Sequence, residues 1–392
     1  MAGIARDFDI VVYGASGFTG RLVAEYLATN YKAPDAPRWA MAGRSVEKLA
    51  QVRDEIGAPD DTPLIAADAS DPASLAAMAA QARVILTTVG PYQLYGNELV
   101  PACAQAGTDY VDLCGEPAWM RYMIDANEAA AKASGARIVF SCGFDSIPFD
   151  MGVHQLQKAV IARHGKPAPR IKGRVRKMRG GASGGTVASM KATMAAATKS
   201  LDVVRLLKDP FALTPGFAGP HQPSGLVPEY DRAEGVWAVP FIMAPINTKN
   251  VHRSNQLLGH LWGEDLVYDE MMLTTLGEAA HAAVEAMAKL NPFGDGKSLE
   301  PGDGPSKEER ENGFYEIVFT AEDLSGGEPM KLVVTGDRDP GYGSTSKMIA
   351  ESALCLLRDV EGPGGIWTPA SAMGDALVAR LEGNAGLGFR LD

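Results

Sequence analysis

The chain has 392 residues, 46% of them hydrophobic and 22% charged, as in a folded globular protein large enough for two or three domains. Its 48 acidic against 37 basic side chains leave a net charge of −11, which argues against a general nucleic-acid binder. Cys103, Cys114, Cys142 and Cys355 lack metal-ligand spacing and the six histidines form no His-Glu-x-x-His pair, so no metal is expected and the thiols read as reduced and buried.

Met1 to Asp7 carries no apolar segment, and no run of 18 apolar residues occurs anywhere, so the expectation is a cytoplasmic protein without a membrane-spanning helix. The apolar run Asp9 to Tyr13 predicts a buried strand. Gly14-Ala15-Ser16-Gly17-Phe18-Thr19-Gly20 follows, and Leu22, Val23, Tyr26 and Leu27 then share one face of a helix that starts near Phe18. Residues without a Cβ let a tight turn approach a pyrophosphate lying on the helix N-terminus. Strand, glycine turn and helix in this order predict a dinucleotide site on Gly14, Ser16, Gly17, Phe18, Thr19 and Gly20.

The next strand is expected to end at Ala42-Gly43-Arg44-Ser45. A site for NAD usually places an acid there, about 20 residues past the glycines, to hold the ribose 2′-hydroxyl. Here Arg44 stands in that place, with Ser45 beside it and Lys48 one turn further on. A guanidinium fork suits a 2′-phosphate, and a basic helix start opposes the helix's own dipole, so the reading is NADP(H).

Thr62 to Asp68 and Arg83 to Val89 predict the third and fourth strands, with Asp68 near the adenine edge and Gly90 and Pro91 lining the cofactor. Tyr92 and Tyr95 then lie toward the nicotinamide, either to hold charge on a substrate oxygen or to pack on the ring. Tyr110 to Leu113 and Arg137 to Cys142 read as strands five and six, which completes an alternating α/β pattern with a mostly parallel sheet. After the sixth, Asp145 and Ser146 are candidates to orient substrate, or else they cap a loop. Cys142 has no paired histidine and is not read as a nucleophile.

A second domain is expected from near Asp150. Val153 to Val160 reads as a helix, Ile171 to Lys177 as a strand, and Thr186 to Leu207 as one long helix after the glycine-rich residues 180–185. Arg174, Arg176 and Arg179 alternate along that strand like a solvated edge. Pro210 to Pro228 reads as a loop and a possible lid. Val236 to Ile246 is a buried strand, a pocket wall or a patch that touches lipid. Glu264 to Leu290 is expected to be helical, Asn291 to Asn312 an exposed loop, and Phe314 to Thr320 with Met330 to Thr335 an antiparallel pair.

With these segments assembled, the chain resembles the saccharopine dehydrogenase-like oxidoreductases, on the side of the trans-acting enoyl reductases. The likeness rests on Tyr13 to Gly20, Ala42 to Ser45, Val89 to Tyr92, Gly107 to Asp112, Cys142 to Pro148, Gly341 to Met348 and Thr368 to Ala370. The resemblance implies a Rossmann domain of doubly wound parallel sheet over residues 1–150 and 342–392. It also implies an inserted α/β domain with a mixed sheet over 151–341, and a homodimer. The implied activity is NADPH-dependent reduction of a carbon–carbon double bond in a hydrophobic, acyl- or lipid-like substrate. Tyr92, Tyr95, Asp145 and Ser146 are then the catalytic candidates. A saccharopine-type C–N oxidoreductase on amino acids is the alternative, although no clamp for amino-acid carboxylates maps onto this chain. A cofactor-bound scaffold at a lipid surface, using Val236 to Ile246, is another.

Overall fold

Phe8–Tyr13 (β1) sends Ile10 and Val12 to one side and Val11 and Tyr13 to the other, and all four are buried. A strand apolar on both faces belongs inside a parallel sheet covered twice by helices. The structure is a computed structural model that describes residues 6–32, 34, 36–180, 184–274, 304–324 and 327–392. In it β1 leads through Phe18–Asn30 (α1) to Trp39–Gly43 (β2), Val46–Glu55 (α2), Leu64–Ala66 (β3), Pro72–Gln81 (α3) and Ala82–Thr87 (β4). Tyr92–Tyr95 (α4), Leu99–Ala106 (α5), Asp109–Val111 (β5), Pro117–Ser134 (α6) and Arg137–Val139 (β6) follow. The strands pair in the order β3-β2-β1-β4-β5-β6, all parallel. This is the doubly wound order in which ligands sit beyond the carboxyl ends of β1 and β4.

A seventh parallel strand, Gly365–Trp367 (β13), extends the sheet beside β6. Three residues after a Gly/Pro-rich turn carry no periodicity, so the sequence did not announce it.

Ile147–His164 (α7) joins the two halves. Its residues Phe149, Met151, Val153 and Leu156 belong to the same buried cluster as Ile10 and Val12 of the first sheet and Ile317 and Phe319 of the second. One continuous core therefore fixes the second domain against the cofactor domain.

The second sheet contains Arg170–Arg179 (β7), Glu229–Asp231 (β8), Val236–Pro240 (β9), Val267–Leu273 (β10), Phe314–Glu322 (β11), Met330–Gly336 (β12) and Leu387–Leu391 (β14), in the order β14-β12-β11-β7-β10-β9-β8. It is mixed, because β7 and β10 run parallel while the other pairs are antiparallel. Thr345–Arg358 (α12) packs on α1, β4 and β5, and Pro369–Arg380 (α13) packs on α7 and α12. The return to the first domain expected over 342–392 stops short of β14, which pairs with β12 of the second sheet.

Several expectations for the second domain change. The long helix over 186–207 is two, Gly184–Lys199 (α8) and Leu201–Lys208 (α9), because the Ser200 hydroxyl accepts from Val203 N and caps a new start. Glu264 to Leu290 is not a helix where it is described: Val267–Leu273 is strand β10, and residues 275–290 lie outside the described residues. Of the loop expected over 291–312, residues 291–303 also lie outside, and Lys307–Glu311 (α11) is a short helix with a Ser306–Glu309 capping box.

Of the arginines expected on a solvated edge, Arg179 is exposed at the end of β7, but Arg174 and Arg176 are not on such an edge. The strand lies between β11 and β10, and buried Arg174 reaches Asp231 and Asp269 at 2.8 Å each and Glu229 at 3.0 Å. Arg176 is tied to Glu234 and Glu316, and Arg170 to Asp269. The 210–228 segment is a loop but is tied down: Phe211 to Thr214 are buried, and Ala212 and Leu213 carbonyls accept from Arg121 and Arg253. Val236 to Ile246 resolves into β9 and the turn before Ala244–Leu257 (α10). Phe241 is buried against Phe149, and Ile242 is the exposed apolar side chain of that run.

Candidate active site

The glycine turn lies where the β1–β4 switch opens. Gly14 has φ +91°, accessible mainly to glycine, and its N–H donates to Ala42 O of β2 while Thr88 N donates to Tyr13 O. Gly20 is needed for close approach: a Cβ there would stand 2.1 Å from Gly14 O and 2.8 Å from Thr88 Oγ1. Gly17 is the N-cap of α1, and no side chain caps that helix. Its first amides, on Phe18, Thr19 and Gly20, thus have the geometry that accepts a pyrophosphate. The Phe18 ring packs edge-on against Tyr342 at 5.2 Å with Arg310 over it at 5.4 Å, so what Phe18 offers an anion is its backbone N–H. Ser16 is exposed beside the turn.

At the end of β2, Arg44 is exposed and makes no hydrogen bond or ion pair shorter than 4 Å with a described residue. Asp68 sits near enough for Arg44 to help hold its carboxyl below the ordinary range, behind the larger effect of the Ser70 N–H and hydroxyl at 2.8 and 2.7 Å. Ser45 Oγ accepts from Lys48 N and donates to Glu47, so the hydroxyl expected to assist a 2′-phosphate is already capping α2. The Lys48 ammonium lies on the exposed first turn. The residues present therefore fit NADP: an uncapped glycine turn for the pyrophosphate, and an unengaged guanidinium rather than an acid at the ribose.

Past β4, Gly90 and Pro91 follow the strand end, with the Tyr92 ring and the Ser189 hydroxyl of α8 close to Gly90. Tyr92 departs from expectation. It is buried, its hydroxyl donates to Thr87 O at 3.3 Å and accepts from Leu113 N at 3.0 Å, and its ring packs on Trp119. Burial pushes its hydroxyl well above the usual tyrosine range. Tyr92 braces the strand ends and has no free hydroxyl for a substrate. Tyr95, on the same short helix, is 47% exposed. The helix is aimed by a residue the sequence reading missed: buried Glu116 accepts Tyr92 N and Gln93 N, at 2.9 Å each.

Asp145 and Ser146 fare differently. Ser146 is buried and its hydroxyl caps nothing; it accepts from Asn250 Nδ2 at 2.8 Å. Asp145 is partly open, and burial pushes its carboxyl up to about 7. Opposite them runs α10, buried along Ile246–Asn247 and Lys249–Asn255 despite a polar sequence. Its inward stripe meets partners from β10 and from α7 with its N-cap. Asn247 donates to Glu270, Asn250 to Ser146, and Ser254 to Asp150. The signal available in the sequence was the spacing of Asn247, Asn250 and Ser254 at i, i+3 and i+7. Cys142 is buried, and burial pushes its thiol up, consistent with a packed rather than reactive cysteine. Among the described residues no cluster of metal ligands occurs, and no helix is long and apolar enough to cross a membrane.

Residues 10–139 match the saccharopine dehydrogenase NADP binding domain family. Over its whole length the chain is similar to a provisionally named trans-acting enoyl reductase of Mycobacterium tuberculosis, 41% identical over 97% of each chain. A trans-acting enoyl reductase of Mycobacterium ulcerans is 38% identical, again over 97% of each. Among solved structures, apo saccharopine dehydrogenase (L-Glu forming) of Saccharomyces cerevisiae superposes with TM-score 0.55 at 11% identity, covering 98% of this chain and 99% of that one. Homospermidine synthase of Legionella pneumophila in complex with NAD gives 0.52 at 11%, covering 98% and 91%. At that identity the structural likeness concerns the fold alone. The sequence relatives go further: the chain belongs to the trans-acting enoyl reductase family, and it is an NADP-dependent oxidoreductase.

Proposed function

We propose that the protein reduces the carbon–carbon double bond of an enoyl group carried on a hydrophobic acyl chain. The observation that carries this reading is the state of the basic side chains in the second domain. A substrate made of amino acids presents several carboxylates and needs convergent cations. Arg170, Arg174 and Arg176 are instead tied to acids within the sheet. Lys249 donates to Leu207 O and Pro245 O, and Arg253 to Leu213 O and Ile366 O. What the segment after β6 and helix α10 offer is uncharged or acidic: Ser146, Asn247, Asn250 and Asp145. Such a site favours a neutral reacting group, and the name shared by relatives near 40% identity supports the same choice.

NADPH, when bound, supplies a hydride to the β-carbon of the enoyl group. The chain's own part is positional. The Gly14–Gly20 turn seats the pyrophosphate, Arg44 selects the 2′-phosphate, and Gly90 and Pro91 define the wall beside which the acceptor lies. The test is NADPH oxidation, followed at its nicotinamide absorbance, with 2-enoyl thioesters of increasing chain length. Saturated thioester as product, with rates rising with chain length, is the expected result. Turnover confined to a mixture of aminoadipate semialdehyde and glutamate would overturn the proposal in favour of C–N chemistry.

A further inference from the structure

Every residue from Ile138 to Val153 is buried except one. The exception is Asp145, which reaches solvent just beyond the carboxyl end of β6, the side of the sheet on which the cofactor turn lies. Its carboxyl makes no hydrogen bond or ion pair with any described residue. An acid that burial pushes up, that reaches solvent on the cofactor-turn side of the sheet and that lacks a partner is poorly explained by folding alone.

Its surroundings are equally unusual. Ser146 holds Asn250, and one turn earlier Asn247 donates to Glu270 Oε2 at 2.9 Å, while Tyr268 donates to Glu270 Oε1 at 2.8 Å. Asn247 is 0% and Asn250 1% exposed, yet the amide oxygens of both have no hydrogen-bond partner. Two buried, acceptor-only atoms on adjacent turns of one helix call for a proton-bearing group opposite them.

Building on the proposed enoyl reduction, we propose that Asp145 is its proton donor, with Ser146 and Asn250, bonded to each other, as the positioning residues that fix the segment carrying it. After hydride arrives at the β-carbon, negative charge rests on the carbonyl oxygen and the α-carbon. The Asp145 O–H bond breaks and a C–H bond forms at the α-carbon. The acyl group has then gained one hydride and one proton, the nicotinamide is oxidised, and Asp145 is left as a carboxylate. Because Asp145 is open to solvent, water restores its proton before the next turnover.

Burial is what favours the neutral acid, and the groups around this segment do not oppose it with a bonded cation. From β10 come Glu270 and Tyr268, and a charge on Asp145 pushes Glu270 further up. From α7 comes Asp150, which is held by Ser254 and Ala370 N. Tyr315 of β11 is buried and bonded to Ser344. From α10 come the two neutral asparagines, while Lys249 and Arg253 are bonded to carbonyls of other segments and burial keeps His252 neutral. With no cation beside it, Asp145 retains its proton near neutral pH, where a general acid works best.

The experiment compares wild type, Asp145→Asn and Asp145→Glu. Expected for Asp145→Asn is a fall in kcat of about 100-fold or more, with NADPH affinity by calorimetry unchanged. The wild-type kcat should decline as pH rises through about 7, and that limb should vanish in the variant. Asp145→Glu should recover part of the rate. A readout independent of turnover is the carboxylic-acid band in the infrared difference spectrum between pH 6 and pH 8, which should lose one carboxyl's share in Asp145→Asn while the shares of Asp112 and Asp150, also raised by burial to about 7, remain. Wild-type kcat and an unchanged infrared difference in Asp145→Asn would overturn the assignment while leaving enoyl reduction standing. A wild-type enzyme inert toward every enoyl thioester would overturn both.

Discussion

Replacing Arg44 by alanine isolates the choice between the two nicotinamide cofactors. The guanidinium stands exposed after β2, with no internal hydrogen bond among the described residues, so its removal costs the fold little. Toward a 2′-phosphate it supplies a charge-assisted fork, and hydrogen bonds to charged groups contribute about 1.5–3 kcal/mol. Taking about 2 kcal/mol, NADPH affinity should fall about 30-fold. Asp68 sharpens the effect: with Arg44 gone, the nearby carboxylate faces the phosphate without its cation. NADH has no 2′-phosphate, so its affinity should stay within about twofold, since each 1.4 kcal/mol is a factor of ten. Titration calorimetry of both cofactors against wild type and Arg44→Ala, in one buffer at fixed salt, measures all four constants. Equal wild-type affinities for NADPH and NADH would refute the assignment. Parallel weakening of both cofactors in the variant would also refute it, by showing that Arg44 shapes the site without reading the phosphate.

Gly20→Ala forces a methyl onto Gly14 O, a backbone atom that cannot swing aside, so stability should fall by about 1–3 kcal/mol in urea and cofactor binding should weaken with it. Unchanged binding would place the pyrophosphate elsewhere. Arg174→Met strips the cation from buried Asp231 and Asp269 and should cost about 3–5 kcal/mol, read as a shift in the denaturation midpoint. A loss below about 1 kcal/mol would mean that these acids take up protons readily instead. Asp145 carries a stability signature of its own. Burial raises its carboxyl from 3.8 to about 7, so between those values the folded chain holds a proton that the unfolded chain has released. Its contribution is therefore fully present below about pH 4 and is lost as pH rises toward 7, at no more than about 1.4 kcal/mol per pH unit. Asp145→Asn should match wild type near pH 4 and exceed it in melting temperature at pH 8; equal differences at both would refute the burial argument.

The glycine turn and the first sheet were legible in the chain alone. Gly14, Gly17, Gly20 and Arg44 act through geometry local to one strand, one turn and one helix start, so their spacing along the chain carries their meaning. The parallel order of β1 to β6 follows from apolar runs alternating with helices, for the same reason. The side chains beyond β4 and β6 took their surroundings from packing instead. Whether Tyr92 points its hydroxyl at a ligand or at Leu113 N depends on the neighbouring strand end, 21 residues away. Arg174 reads as a solvated charge until β7 and β10 pair and bury it with Asp269. The polar stripe of α10 likewise becomes a buried network only when Ser146 and Glu270, 104 and 23 residues from their asparagine partners, close over it. A polar side chain's worth is set by what desolvates it and what answers it, and both arrive from distant segments of the chain.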